Sequence, residues 1–202
     1  MKVDVYTIAH EVKNPLCVVK GYLEMMNEEN YERYKKIIND ELNNSINILD
    51  NYLEYKKINI NKEIMDINIL FLEIKEKYQE YLCNKNIHLH VSLNDDEIYL
   101  LGDYNKLKEV ISNIIKNSIE SQSKNIYINY QLEKEKIKLI IENDGFKINE
   151  NDIKKIGHNY TNKIIGHGIG TTINEKIIEL HSGNIEYMNT ITGVKTIITL
   201  FL

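Results

Sequence analysis

Apolar residues in the first 60 positions recur at helical spacing. Ile8, Val12, Leu16, Val19, Leu23 and Met26 follow at steps of three or four, which is the stripe of one amphipathic helix. A polar break at 27–30 separates it from a second stripe through Tyr34, Ile38, Leu42, Ile46, Leu49 and Leu53. Two such helices joined by a short turn predict an antiparallel hairpin over 1–60. Two coverings of its apolar faces are compatible with the stripes: a second copy, giving a four-helix bundle, or the rest of the same chain.

After Asn61 the period changes. Residues 66–82 predict a helix, 88–93 (His-Leu-His-Val-Ser-Leu) a strand by alternation, and 98–101 a second strand. Residues 104–121 predict a strong helix with Leu107, Val110, Ile111, Ile114, Ile115 and Ile119 on its buried side. A hairpin over 125–132 and 136–142, a short helix at 172–181 and strands at 185–188 and 195–201 complete the chain. The expected fold class is α+β: a helical hairpin, then an α/β sandwich over 61–202. This order of elements favours a mixed or antiparallel sheet against helices over a doubly wound parallel one.

Composition narrows the function classes. With 43% hydrophobic and 27% charged residues the chain is an ordinary globular protein, not a disordered one. A net charge of −5 argues against nucleic acid as the partner. Cys17 and Cys83 are isolated and lack metal-ligand spacing, which fits a reducing cytosol. No apolar run approaches the roughly 18 residues of a membrane span, and the N-terminus lacks a signal-peptide pattern. The expectation is a cytoplasmic chain without a membrane segment. Arg33 is the only arginine, so any phosphate clamp must draw on lysines, backbone N–H groups and metal.

Four stretches could carry chemistry. In the first, His10 and Asn14 share a helix face beside the apolar stripe, with Glu11 adjacent and Pro15 expected to bend the helix. A neutral imidazole there can act as a nucleophile, and a neighbouring carboxylate can fix its tautomer; a solvated surface pair is the plainer reading. In the second, Asn113 and Asn117 display two carboxamides four residues apart on the polar side of the predicted helix. Their carbonyl oxygens can hold a metal ion or a metal-bound phosphate. In the third, a strand runs into Asn143-Asp144-Gly145, which is either a plain turn or a polar strand end aimed at a base. In the fourth, Gly166, Gly168 and Gly170, followed by Thr171, lead into a helix, a pattern that lets backbone N–H groups approach phosphates. The polar run at 158–165 before it could form a lid.

In this order and spacing the four stretches resemble the bacterial sensor histidine kinases. His10-Glu11-Val12-Lys13-Asn14-Pro15-Leu16, continued by Val19-Lys20-Gly21-Tyr22, is similar to the family's H box. Residues 106–121 resemble its N box, 143–148 its first glycine box and 166–173 its second, while 160–163 and 196–200 resemble flanking segments. The resemblance implies a HisKA-type dimerisation and phosphotransfer domain over 1–60 and a GHKL-type ATP-binding domain over 61–202. It implies His10 as phosphoacceptor, Glu11 as its acid/base neighbour and Asn14 as a positioning group. It implies Asn117 as an Mg2+ ligand with Asn113 beside it, Asn143, Asp144 and Gly145 at the adenine, and Gly166, Gly168, Gly170 and Thr171 closing over the phosphates of ATP. The partners implied are a second copy, through the N-terminal helices, and a response-regulator receiver domain. An Asn-Pro H box and an Ile-Glu N-box end resemble sporulation-type kinases in particular.

The chain departs from the family pattern at several positions. Asn143 stands where an aspartate is usual, Lys147 where a glycine is, Thr171 where a leucine is, and Glu120 where many members carry lysine. An amide oxygen is a weaker acceptor than a carboxylate. An alternative therefore stays open: a phosphorelay phosphotransferase or docking protein with a weakened nucleotide site. Also open is whether the chain is a sensorless kinase or the cytosolic part of a longer membrane sensor.

Overall fold

The computed structural model describes residues 5–93, 96–153 and 169–202, and these form two units divided at residues 58–59. In the first unit, α1 (Val5–Met25) and α2 (Tyr31–Lys57) form a hairpin. Its turn is held by two asparagines: Asn30 Oδ1 accepts from the Asn27 backbone N–H at 2.8 Å, and Asn30 Nδ2 donates to the Met25 carbonyl at 3.0 Å. Above the turn, the rings of Tyr22 and Tyr34 meet edge to face with centroids 4.8 Å apart.

The predicted stripes split into two faces. Ile8, Val19, Ile38 and Ile48 are buried, together with Glu11 and Ser45. Leu16 and Leu23 on α1, and Leu42, Ile46, Leu49 and Leu53 on α2, remain exposed. The α2 set follows a 4-3-4 spacing, the seam of a coiled-coil-like interface. Helix α1 continues without a break through Pro15.

The second unit begins with β1 (Glu63–Asp66), which pairs antiparallel with β3 (Tyr99–Gly102). Asp66 then caps α3 (Ile67–Cys83) by accepting from the Asn68 N–H at 2.8 Å. Strand β2 (His88–Val91) lies at the edge of a five-stranded sheet of order β2-β4-β5-β7-β6. Helix α4 (Tyr104–Glu120) precedes β4 (Asn125–Glu133) and β5 (Lys136–Asn143); the short α5 (Glu150–Ile153), α6 (Ile169–Leu180), β6 (Asn184–Asn189) and β7 (Val194–Phe201) follow. The β2–β4 pair is parallel and the others antiparallel, so the sheet is mixed, as the order of elements predicts.

The core follows from two periodicities. Buried strand positions alternate: Ile126 and Ile128 on β4, Ile137, Leu139 and Ile141 on β5, Ile198 and Leu200 on β7. The helices answer with Leu70, Phe71 and Ile74 on α3, Leu107, Val110, Ile111, Ile114 and Ile115 on α4, and Ile173, Ile177 and Ile178 on α6. Helices α3, α4 and α6 are each followed by a non-glycine residue at positive φ: Asn86 at 55°, Gln122 at 61° and Ser182 at 60°. That left-handed geometry usually falls to glycine.

Candidate functional site

His10 is exposed on α1, with the Tyr6 ring edge-on to it at a centroid distance of 4.7 Å. One turn of helix separates the two, so their rings lie on the same face. Asn14 is also exposed, one turn further on. Glu11 is only 5% exposed, because the helical advance from His10 turns it to the buried side.

The other candidates converge around α4. Asp103 caps this helix, accepting from the Lys106 N–H at 3.0 Å, and its second oxygen accepts from the Asn61 N–H at 2.7 Å. Burial pushes the Asp103 carboxyl upward, but these two N–H donors and the nearby Lys106 charge outweigh it and hold the pKa below the ordinary carboxylate value. The Asp103 backbone N–H donates to His181 Nε2 at 2.8 Å, while His181 Nδ1 lies 2.7 Å from the Ile177 carbonyl. A carbonyl only accepts, so Nδ1 carries the proton and the ring is neutral. One imidazole thereby joins the start of α4 to the end of α6.

Asn113 and Asn117 lie on the polar side of α4, Asn117 exposed and Asn113 half-buried. Gly170, in the first turn of α6, packs over Asn113: a Cβ at Gly170 would lie 4.0 Å from both Cβ and Cγ of Asn113. Thr171 is half-buried beside it. The start of α6 and the Asn113 carboxamide of α4 therefore adjoin. Gly166, Gly168 and the 158–165 run lie outside the described residues.

The strand end at 143–145 is built tightly onto the C-terminal turn of α4. Asn143 is buried, its Oδ1 accepting from the Gly145 N–H at 3.0 Å and its Nδ2 donating to Ser118 Oγ at 3.1 Å. Ser118 donates in turn to the Ile114 carbonyl at 3.0 Å. A Cβ at Gly145 would come within 2.6 Å of the Ser121 carbonyl oxygen, so only glycine fits this approach. Asp144 points elsewhere: its carboxylate accepts from the backbone N–H groups of Lys124 and Asn125 at 2.7 and 2.8 Å and from Asn125 Nδ2 at 2.7 Å. Burial raises the Asp144 pKa, but the Asn125 and Lys124 donors more than offset this, and the net shift is downward. Just beyond, Asn189 clamps the backbone of Ile148, accepting from its N–H at 2.9 Å and donating to its carbonyl at 2.8 Å.

The donor set fits a nucleoside triphosphate held with a divalent cation. The Asn113 carboxamide stands next to the first turn of α6, and Asn117 follows one turn further along the same face of α4. Comparison with known families decides the assignment. Residues 102–202 match the histidine kinase-, DNA gyrase B- and HSP90-like ATPase family, and residues 5–60 match the His Kinase A (phospho-acceptor) domain. The chain belongs to the sensor histidine kinase family. The phospho-acceptor match contains His10 and the ATPase match contains the α4–β5–α6 cluster.

Among curated relatives, this chain is 31% identical over 192 residues to Sporulation kinase B of Bacillus subtilis, covering 90% of this chain and 45% of that protein. It is 32% identical over 183 residues to Sporulation kinase A of the same organism, covering 87% of this chain and 30% of that protein. The chain thus spans less than half the length of these relatives. The solved histidine kinase ThkA, in complex with response regulator protein TrrA, superposes with a TM-score of 0.70 at 25% identity, covering 96% of this chain and 59% of that one. The catalytic domain of ThkA alone gives 0.62 at 26% identity, covering 70% of this chain and 96% of that one. None of the described helices is long and apolar enough to cross a membrane.

Sequence reasoning missed Ser118, Asn174, Asn189 and His181 as parts of this region. Ser118 sits inside the recognised N-box run. The two asparagines carried no signal in so asparagine-rich a chain.

Proposed function

We propose that this chain is the core of an ATP-dependent protein-histidine kinase that autophosphorylates His10 and passes the phosphoryl group to an aspartate of a response-regulator receiver domain. The observation that carries the reading is an exposed histidine within a phospho-acceptor domain match, followed in the same chain by an ATPase match. That ThkA was solved with a response regulator protein supports the choice of partner. In this reading residues 1–60 are the dimerisation and phosphotransfer domain and 61–202 the ATP-binding domain. The exposed seam of Leu42, Ile46, Leu49 and Leu53 supports pairing of two hairpins into a four-helix bundle.

A ring nitrogen of His10 attacks the γ-phosphorus in line, the bond to the bridging oxygen breaks, and ADP leaves. Glu11 stabilises the imidazolium charge that develops, and Asn14 orients the acceptor. Bound Mg2+ supplies charge neutralisation on the phosphates. Asn117, with Asn113 beside it, would hold it. Asn143 and Gly145 shape the adenine end, Asp144 secures that turn, and Gly166, Gly168, Gly170 and Thr171 cover the phosphates.

One observation favours a second reading, a phosphotransferase with a weakened nucleotide site: both polar groups of Asn143 already have internal partners. The separating experiment is incubation of the dimeric chain with Mg2+ and γ-labelled ATP, beside His10→Ala. Acid-labile, base-stable label on the wild type alone supports the kinase. An unlabelled wild type that nonetheless accepts phosphoryl from a phosphorylated receiver domain would establish the phosphotransferase instead.

A further inference from the structure

Asn174 lies on α6 one turn beyond Gly170, and none of its surface is exposed. Its neighbours along the helix, Ile173, Ile177 and Ile178, are buried aliphatics. Its Oδ1 accepts a hydrogen bond from Asn113 Nδ2 on α4 at 3.2 Å. Its own Nδ2 has no hydrogen-bond partner among the described residues, nor has the buried Tyr187 hydroxyl on β6. A buried amide with an unmet donor is costly, and an aliphatic residue here would remove that cost. Stability alone therefore does not account for asparagine at this position.

The bond to Asn113 does account for it. A carboxamide is planar and carries its oxygen and nitrogen on opposite sides of one carbon. Tying Asn113 Nδ2 inward to Asn174 leaves Asn113 Oδ1 as the group offered to the site. A cation accepts only the oxygen of an amide. Without the acceptor on α6, the Asn113 amide is free to rotate by half a turn and present its NH2 instead.

We propose that Asn174 is a positioning residue for the nucleotide site: it locks the Asn113 carboxamide with its carbonyl oxygen toward the divalent cation that accompanies ATP. This rests on the kinase reading above. It also ties α6, the helix that follows the second glycine box, to the face of α4 that carries Asn113 and Asn117.

The test is equilibrium binding of ATP, in Mg2+ and in EDTA, to the wild-type chain, Asn174→Leu, Asn113→Ala and the double variant. The expected result is a loss of about fivefold in Mg2+-dependent affinity for Asn174→Leu, the value of one oriented hydrogen bond. No loss is expected in EDTA, and none beyond that of Asn113→Ala in the double variant. Asn174→Asp, which keeps an oxygen acceptor, should recover most of the loss. If Asn174→Leu does not fold by circular dichroism, Asn174→Ser takes its place with the same expectations. A loss that is equal in EDTA, or that adds fully to that of Asn113→Ala, means that Asn174 acts by packing and overturns the proposal alone. A folded wild type with no affinity for ATP in Mg2+ overturns the kinase reading and this role with it.

Discussion

Replacing Gly145 by alanine tests how tightly the strand end is built onto α4. The added Cβ would meet Ser121 Oγ at 2.2 Å, and the Ser121 carbonyl oxygen and Ser123 Oγ each at 2.6 Å. The hydroxyls can swing aside, but the carbonyl belongs to the last turn of a helix whose other side is in the core. The chain must instead lift at 145, stretching the Phe146 N–H bond to the Ser121 carbonyl, now 2.8 Å. Overpacking costs about 1–3 kcal/mol and the lost hydrogen bond about 1 kcal/mol, so a loss of about 2–4 kcal/mol is expected. Gly21→Ala is the internal control. It lies inside α1 with nothing within 4 Å of the new Cβ, and should stabilise the hairpin by about 0.5–1 kcal/mol. Guanidinium unfolding followed by circular dichroism reads both signs, and hydrogen exchange at the Phe146 amide localises the first. Adding Ser121→Ala to Gly145→Ala should recover only part of the loss. Full recovery would mean that the backbone contact is not limiting and would refute the reasoning, as would a Gly145→Ala variant as stable as the wild type.

Three further outcomes are expected. Burial lowers the His181 pKa, the Lys62 charge adding to this and the Ile177 carbonyl and Asp103 opposing it; the unfolded chain thus binds the proton more readily. Stability from this site is full above the ordinary histidine value of about 6.5 and falls as pH drops below it; His181→Gln should flatten that part of a stability–pH profile. Ser182→Gly relieves a left-handed residue at φ 60° and should raise the unfolding midpoint by the equivalent of about 0.5–1 kcal/mol in the same titration. Ile46→Glu puts a charge into the exposed α2 seam, where each buried aliphatic contributes about 1.5–3 kcal/mol, and should shift sedimentation toward monomer.

Much of the fold was legible because it rests on local periodicity. Helices α3 and α4 and strands β4, β5 and β7 lie within one or two residues of the elements their patterns predict, and Asp66 and Asp103 cap the helices that follow them. Strand β1 was not legible. Its four residues include the strongly exposed Ile64, and it exists by pairing with β3 across the intervening α3 and β2. Helix α6 starts at Ile169 rather than 172, because glycine-rich sequence at its start reads locally as loop. The stripes of α1 and α2 are right in period, but one face of each hairpin helix is buried within the chain and another is left open. Periodicity marks apolar positions without saying what covers them.

By itself the sequence determined most of the element types, the mixed α+β class and the positions of four candidate stretches. Each of these depends on interactions within a few residues: helical spacing, strand alternation, glycine at tight turns, and a histidine beside a carboxylate. Only the tertiary structure decided that Asn143 is committed to Ser118 and Gly145, that Asp144 anchors the start of β4, and that Asn174 holds Asn113. A carboxamide or carboxylate can bond in several directions, and which group satisfies it is chosen by burial against residues distant in the chain. Desolvation makes that choice only after the sheet and its helices have closed around it.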